Sequence, residues 1–236
     1  MWASEMRRTG VWVVICAGLL LPAAGLTAAQ TNTAEQQRIE RAVRDYAAQL
    51  ETEQVKNQDR LIAANAAAML NDAHTPVIGD ARADVSIVEF TDYTCPYCKA
   101  VEPRLEKLLK DDPRVKLVVK EYPILTPASL VAAKAALASM KQGKYPRFHQ
   151  TMMTFRGQLT TDAVYDMARD SGVDVNRLRK DMESPEIADE IIATFNLARA
   201  IRAFQTPTFI INDHLLTGAS ADIDFPKLVA AARTKH

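Results

Sequence analysis

Cys95-Pro96-Tyr97-Cys98 constrains this chain more than any other segment. An apolar run with Val85, Ile87, Val88 and Phe90 precedes it and reads as a buried strand; residues 99–110 follow and read as a helix. Two thiols two residues apart at a helix start can close a disulfide. The first faces the positive end of the helix dipole, which lowers its pKa and favours the thiolate. Residues 114–121, with Val115, Leu117, Val118 and Val119, predict a second strand. Strand, helix, strand at this spacing is a βαβ unit with parallel strands. The chemistry such a turn carries is thiol–disulfide exchange.

The cysteine count sharpens that reading. The 236 residues include three cysteines. Cys16 lies in an apolar stretch, residues 11–21, behind Arg7 and Arg8 and ahead of Pro22. Thr27 and Ala29 suit a cleavage site, so residues 1–29 are expected to be a cleaved signal peptide, with an uncleaved anchor as the alternative. The stretch is short for a membrane span, which needs about 20 residues. Cleavage removes Cys16 and leaves Cys95 and Cys98. A disulfide between them closes almost no loop, so it stabilises little. A CxxC pair as the only thiols of an exported chain points to redox work in an oxidising compartment such as the periplasm. Basic and acidic residues number 29 each, which gives no footprint for nucleic acid.

Residues 31–72 contain no Gly or Pro and are expected to form a helical arm. Ile39, Val43, Tyr46 and Leu50 make one apolar stripe, which fails over residues 51–60 and resumes at Leu61. The arm is either two helices with a polar bend or one helix with a weak middle. Its stripe suits self-association more than packing on its own domain. Residues 74–81, with Pro76 and Gly79, read as a linker. Residues 123–127 break the chain after the second strand. A helical insertion follows over about residues 128–203, then strands at 209–211 and 215–217 and a last helix at 224–233.

This order, β-α-β, helices, β-β-α, is that of a thioredoxin fold with an inserted helical domain. Phe90-Thr91-Asp92-Tyr93-Thr94-Cys95-Pro96-Tyr97-Cys98-Lys99 resembles the active-site segment of DsbA-family exported oxidoreductases. Val118-Val119-Lys120-Glu121-Tyr122-Pro123 and Thr206-Pro207-Thr208-Phe209 also resemble that family. With the helical arm, the resemblance is greatest to its ScsC-like branch, the suppressor of copper sensitivity proteins. The expected fold class is therefore α/β: a helical arm at 30–73, then a DsbA-like domain at 74–236.

The resemblance implies roles. Cys95 is the nucleophile, expected to be exposed and largely thiolate; Cys98, one turn in, resolves mixed disulfides. Thr206 and Pro207, the latter cis, would dock an extended substrate peptide beside Pro96 and Tyr97. Gln205 replaces the usual glycine there. Glu89 would lie beneath the disulfide and accept the proton of Cys98, with Lys120 as its partner, because lone buried charges are costly. No cofactor beyond the Cys95–Cys98 pair is expected, and no metal. His74, His149, His214 and His236 show no ligand spacing. With no basic residue between the cysteines, the couple should be moderately oxidising.

Three functions fit. One is an isomerase or reductase acting on misfolded exported proteins, kept reduced by a membrane partner and oligomeric through residues 31–72. Another is a monomeric oxidase recharged by a quinone-linked membrane protein, since partner and potential set the direction. The third is a Cu(I)-handling module, because soft thiolates favour that ion.

Overall fold

The computed structural model describes residues 24–70 and 73–234, with side chains from residue 33 onward. Of the expected signal segment, residues 1–23 lie outside the described residues. The chain divides into two compact units, Met1–Thr52 and Glu53–His236. Helix α1 (Ala24–Ala64) runs unbroken through residues 51–60, so the arm is one helix there. Glu, Gln and Lys are good helix formers, and losing the apolar stripe does not stop the backbone ladder. The break comes at Asn65, ahead of α2 (Ala66–Leu70). In the first unit Ile39, Val43, Tyr46 and Leu50 are exposed.

The second unit is built on a five-stranded sheet of order β1-β3-β2-β4-β5. Its strands are β1 (Val77–Ile78), β2 (Val85–Thr91), β3 (Val115–Glu121), β4 (Thr208–Ile211) and β5 (His214–Thr217). Strands β2 and β3 are parallel, joined by α3 (Pro96–Asp111); the β1–β3, β2–β4 and β4–β5 pairs are antiparallel. Strand β1 corrects the reading of residues 74–81 as linker alone. Two residues between Pro76 and Gly79 are too few for a periodic signal. Gly79 is required there: its φ is +105, and a Cβ would meet the Val115 carbonyl at 3.0 Å.

Both faces of the sheet are buried, and period two sorts the side chains. Val85, Ile87, Leu117, Val119, Phe209 and Ile211 face a core shared with α3 and the inserted helices. Val88, Phe90, Val118 and Ile210 face a second core with Ile62, Met69, Leu197 and Ile201. Residues 58–69 thus pack on their own domain. Ile62 and Met69 are buried, and Gln58 Nε2 donates to the Ile201 carbonyl at 2.6 Å.

Five helices lie between β3 and β4: α4 (Pro127–Met140), α5 (Tyr145–Thr154), α6 (Thr161–Asp170), α7 (Val175–Asp181) and α8 (Pro185–Ala200). Helices α4 and α5 start a turn earlier than the apolar pattern alone indicates. Pro127 and Pro146 occupy first-turn positions, where proline is tolerated, and do not act as breakers. Thr126 and Ser129 close a capping box on α4, and Thr160 and Asp174 cap α6 and α7. Helix α9 (Phe225–Thr234) ends the domain and packs Phe225 against Phe209.

Candidate active site

The end of the β2–α3 turn and the first turn of α3 hold the two thiols. Cys95 is the N-cap of α3 and Pro96 its first residue. Asp92 fixes the turn: its carboxylate accepts from the Thr94 N–H at 2.8 Å and from the Ile124 and Leu125 N–H groups at 3.0 and 3.1 Å. The loop before the cysteines is thereby tied to the loop leaving β3. Both cysteines are free thiols.

Contrary to expectation, Cys95 is not exposed. It keeps 2% of its surface, because the chain at Thr206 crosses in front of it. Cys95 Sγ lies 3.4 Å from the Thr206 carbonyl, and the Thr206–Pro207 peptide is cis. A cleft of about 590 Å³ opens beside the sulfur, lined by Tyr97, Leu125, Phe204 and Thr206 among others. Tyr97 and Phe204 are each 65% exposed, so an apolar rim surrounds a recessed thiol.

The two thiols differ sharply in acidity. Cys95 is pulled down to about 6, chiefly by the hydrogen bond from the Cys98 thiol. Thr206 and the backbone N–H groups of Cys98 and Tyr97 add to this. Those N–H groups are the unpaired donors of the first helical turn, so the helix terminus acts here as a set of donors. Cys98 is pushed far up by burial, and the hydrogen bond to Cys95 and the charge of Glu89 act the same way. One sulfur is thus an acidic thiol and the other keeps its proton at neutral pH.

Glu89 lies on the α3 side of the sheet, in the series Val85, Ile87, Glu89, Thr91. It is fully buried, and neither carboxylate oxygen has a hydrogen bond among the described residues. Burial raises its pKa well above the ordinary value, with the Glu102 charge next in weight.

Lys120 is not the partner of Glu89. In the β2–β3 register Glu89 is opposite Val119 and Phe90 opposite Lys120, so the two charges sit on opposite faces of the sheet. Lys120 Nζ donates instead to Thr75 Oγ1 and lies 3.7 Å from Glu190 of α8.

Sequence reasoning missed Tyr93, Glu102, Glu121, Tyr145 and His149, which are all buried behind the dithiol. The available signals were an acid ending an apolar strand and a Tyr–His pair spaced one helical turn apart. A buried polar group without a partner costs on the order of 1–3 kcal/mol. Several unpartnered atoms gathered at one place mark a site kept for something other than stability.

A thioredoxin-fold domain with a low-pKa thiol at a helix start, a buried second thiol and a cis-proline loop facing them defines a thiol–disulfide oxidoreductase. Comparison with known proteins agrees. A family model described as thioredoxin matches residues 70–231. A thioredoxin-like oxidoreductase from Silicibacter pomeroyi is 38% identical, with a TM-score of 0.68 over 71% of this chain and 97% of that one. The catalytic domain of Proteus mirabilis ScsC is 27% identical, with a TM-score of 0.68 over 75% of this chain and 98% of its own. A probable disulfide bond formation protein D from Bacillus cereus is 27% identical over 64% of this chain and 74% of its length. Na⁺/H⁺ antiporters such as one from Salinispora arenicola also match, at 30% identity over 58% of this chain, but the chain spans only 21% of their length. The chain belongs to the thioredoxin family, as an oxidoreductase of the DsbA and ScsC type.

Proposed function

We propose that the chain is an exported disulfide isomerase or reductase, held reduced by a membrane dithiol partner and self-associated through its N-terminal helix. One observation carries this reading. Ile39, Val43, Tyr46 and Leu50 are 53, 62, 63 and 44% exposed along one helix stripe, ahead of the dithiol domain. Such a stripe needs a partner, and a second copy of the same helix fits it. Residues 58–69 are already committed to their own domain, which narrows the self-association segment to residues 33–55. Several dithiols held around one space suit a protein that must release and retry misfolded substrates.

In this reading Cys95 attacks a wrong disulfide and Cys98 resolves the mixed disulfide. Glu89, as its carboxylate, accepts the Cys98 proton. Thr206, Pro207, Pro96 and Tyr97 hold the substrate chain in extended form. Among the described residues no helix is long and apolar enough to cross a membrane.

One observation favours a second reading, a monomeric oxidase. A Cys95 pKa of about 6 stabilises the reduced state, which makes the couple oxidising. Reactivation of scrambled ribonuclease by the reduced protein separates the two. The isomerase reading expects reactivation that is lost in Cys95→Ser and weakened when residues 33–52 are deleted. Oxidation of reduced ribonuclease without reactivation, by a protein that sediments as a monomer, supports the oxidase.

A further inference from the structure

Behind the dithiol, buried side chains not used in the exchange steps form a connected set. Tyr93 leads into Cys95. Glu102 stands one turn beyond Cys98 on α3. Glu121 ends β3, and Tyr145 and His149 share a face of α5. Glu121 Oε1 accepts from the Tyr93 hydroxyl at 2.7 Å and the Tyr145 hydroxyl at 2.6 Å. His149 Nδ1 lies 2.8 Å from the Tyr93 hydroxyl and 3.3 Å from that of Tyr145.

Hydrogen counting fixes the roles. Each tyrosine hydroxyl has one proton, and both go to Glu121. The hydroxyl oxygens then accept, so His149 Nδ1 carries a proton and donates. Nε2 is left as the nitrogen whose protonation is open. It faces Glu102 Oε2 at 3.7 Å, and neither atom has a hydrogen bond among the described residues. Two bases thus face each other with one proton site between them.

The charges around this proton are nearly all of one sign. Glu121 and His149 are faced by Glu89 from β2, Asp92 and Tyr93 from the active-site loop, Glu102 from α3 and Tyr145 from α5. Burial holds Glu121 up at about 7, while the His149 charge and the two hydroxyls pull it back down. Burial, Glu102, Glu121 and the Cys95 charge all raise the pKa of Glu89. The cluster therefore responds to the charge that appears and disappears at Cys95, which acts on Glu89.

We infer that Tyr93, Glu121, Tyr145 and His149 form a proton store that acts on the dithiol through Glu102 and Glu89. The inference rests on exchange at Cys95 and Cys98. Reduction takes two electrons and two protons from an external dithiol, which closes to a disulfide. The Cys95–Cys98 bond breaks, Cys98 takes one proton, the other goes to solvent and Cys95 is left as thiolate. The new negative charge raises the proton affinity of the acid cluster, which takes up a proton from solvent. On oxidation the charge disappears and the proton leaves. The four are positioning residues: they set where a proton sits.

The test is to equilibrate the full chain with glutathione buffers across the pH range around neutrality, for wild type, His149→Gln and Tyr145→Phe. In wild type the reduced-to-oxidised ratio is expected to bend away near neutral pH from the line set by the cysteines alone. His149→Gln should remove the bend and shift the ratio about ten- to thirtyfold at one end of the range, as a unit charge roughly 8–12 Å away does at an effective dielectric of about 20. Tyr145→Phe should shift it less, in the same direction. Parallel profiles for the three proteins overturn the inference. Should either variant fail to fold, the reduced-minus-oxidised infrared spectrum of wild type decides: a protonated-carboxyl or imidazolium band that grows on reduction supports the store, and the absence of both overturns it. A chain that does not equilibrate with glutathione at all overturns the dithiol reading beneath.

Discussion

Lys120 and Glu121 are neighbours in sequence and enter two different buried clusters. Lys120 points to the face of the sheet where Thr75 and Glu190 meet it. There a positive and a negative charge are matched, with a hydroxyl donating to the carboxylate at 2.8 Å. Glu121 points to the other face, among Glu89, Glu102 and His149. There acid is in excess, and six polar atoms, on Glu89, Thr91, Glu102, Glu121 and His149, lack hydrogen bonds among the described residues. A matched pair ties β3 and the chain before β1 to α8. An unmatched set keeps protons mobile. Two clusters of similar depth differ in use because one balances its charge and the other does not.

The comparison breaks most easily at the matched cluster. Lys120→Met leaves Glu190 buried without its cation, which is expected to cost about 3–5 kcal/mol in denaturant unfolding. Lys120→Met with Glu190→Leu should recover most of that. In both variants the Cys95 thiolate should titrate as in wild type. A Cys95 midpoint that moved with Lys120 would show that the two faces are coupled after all.

A smaller effect belongs to the unmatched cluster. Glu121 goes from 4.5 in the unfolded chain to about 7 in the fold, so the native state binds more protons in between. Stability from this group is present below pH 4.5 and is lost as pH rises through 7, by up to about 3 kcal/mol. Glu121→Gln keeps an acceptor for the tyrosines and removes the titration. Its unfolding free energy should fall less between pH 5 and 7, measured on the oxidised protein. An unchanged slope would place the proton elsewhere.

The reduced protein adds a contribution of opposite sign. Cys95 goes from 9.0 down to about 6, so its contribution is present above pH 9 and lost as pH falls through 6. Reduced minus oxidised stability should therefore rise with pH between about 6 and 9. The smallest expected change is in Cys98→Ala. Loss of the hydrogen bond that leads the Cys95 shift should raise its midpoint by roughly one unit, about 1.4 kcal/mol, read from thiolate absorbance. A midpoint that stayed near 6 would assign the shift to the helix terminus and Thr206.

Local signals determined a great deal. The CxxC, the apolar run before it and the βαβ spacing determined the dithiol, its place at a helix start and the parallel core of the sheet. These rest on residues within about one helix or strand of each other, where period and capping act. The charge of Glu89 inside an apolar strand was also visible, as was its need to be buried. Tertiary structure decided everything that joins distant segments across a face. Strand alternation says that Lys120 and Glu121 point opposite ways, but not which way is toward the thiols. That choice belongs to the register of β2 against β3 and to the helices laid over each face. Glu190 lies 70 residues beyond Lys120, and His149 lies 28 beyond Glu121. The burial of Cys95 was decided in the same way, by the chain at Thr206, which the sheet brings across the helix start. Short-range sequence pattern fixes elements because backbone energetics are local; partners of buried charges are fixed only when packing closes the space around them.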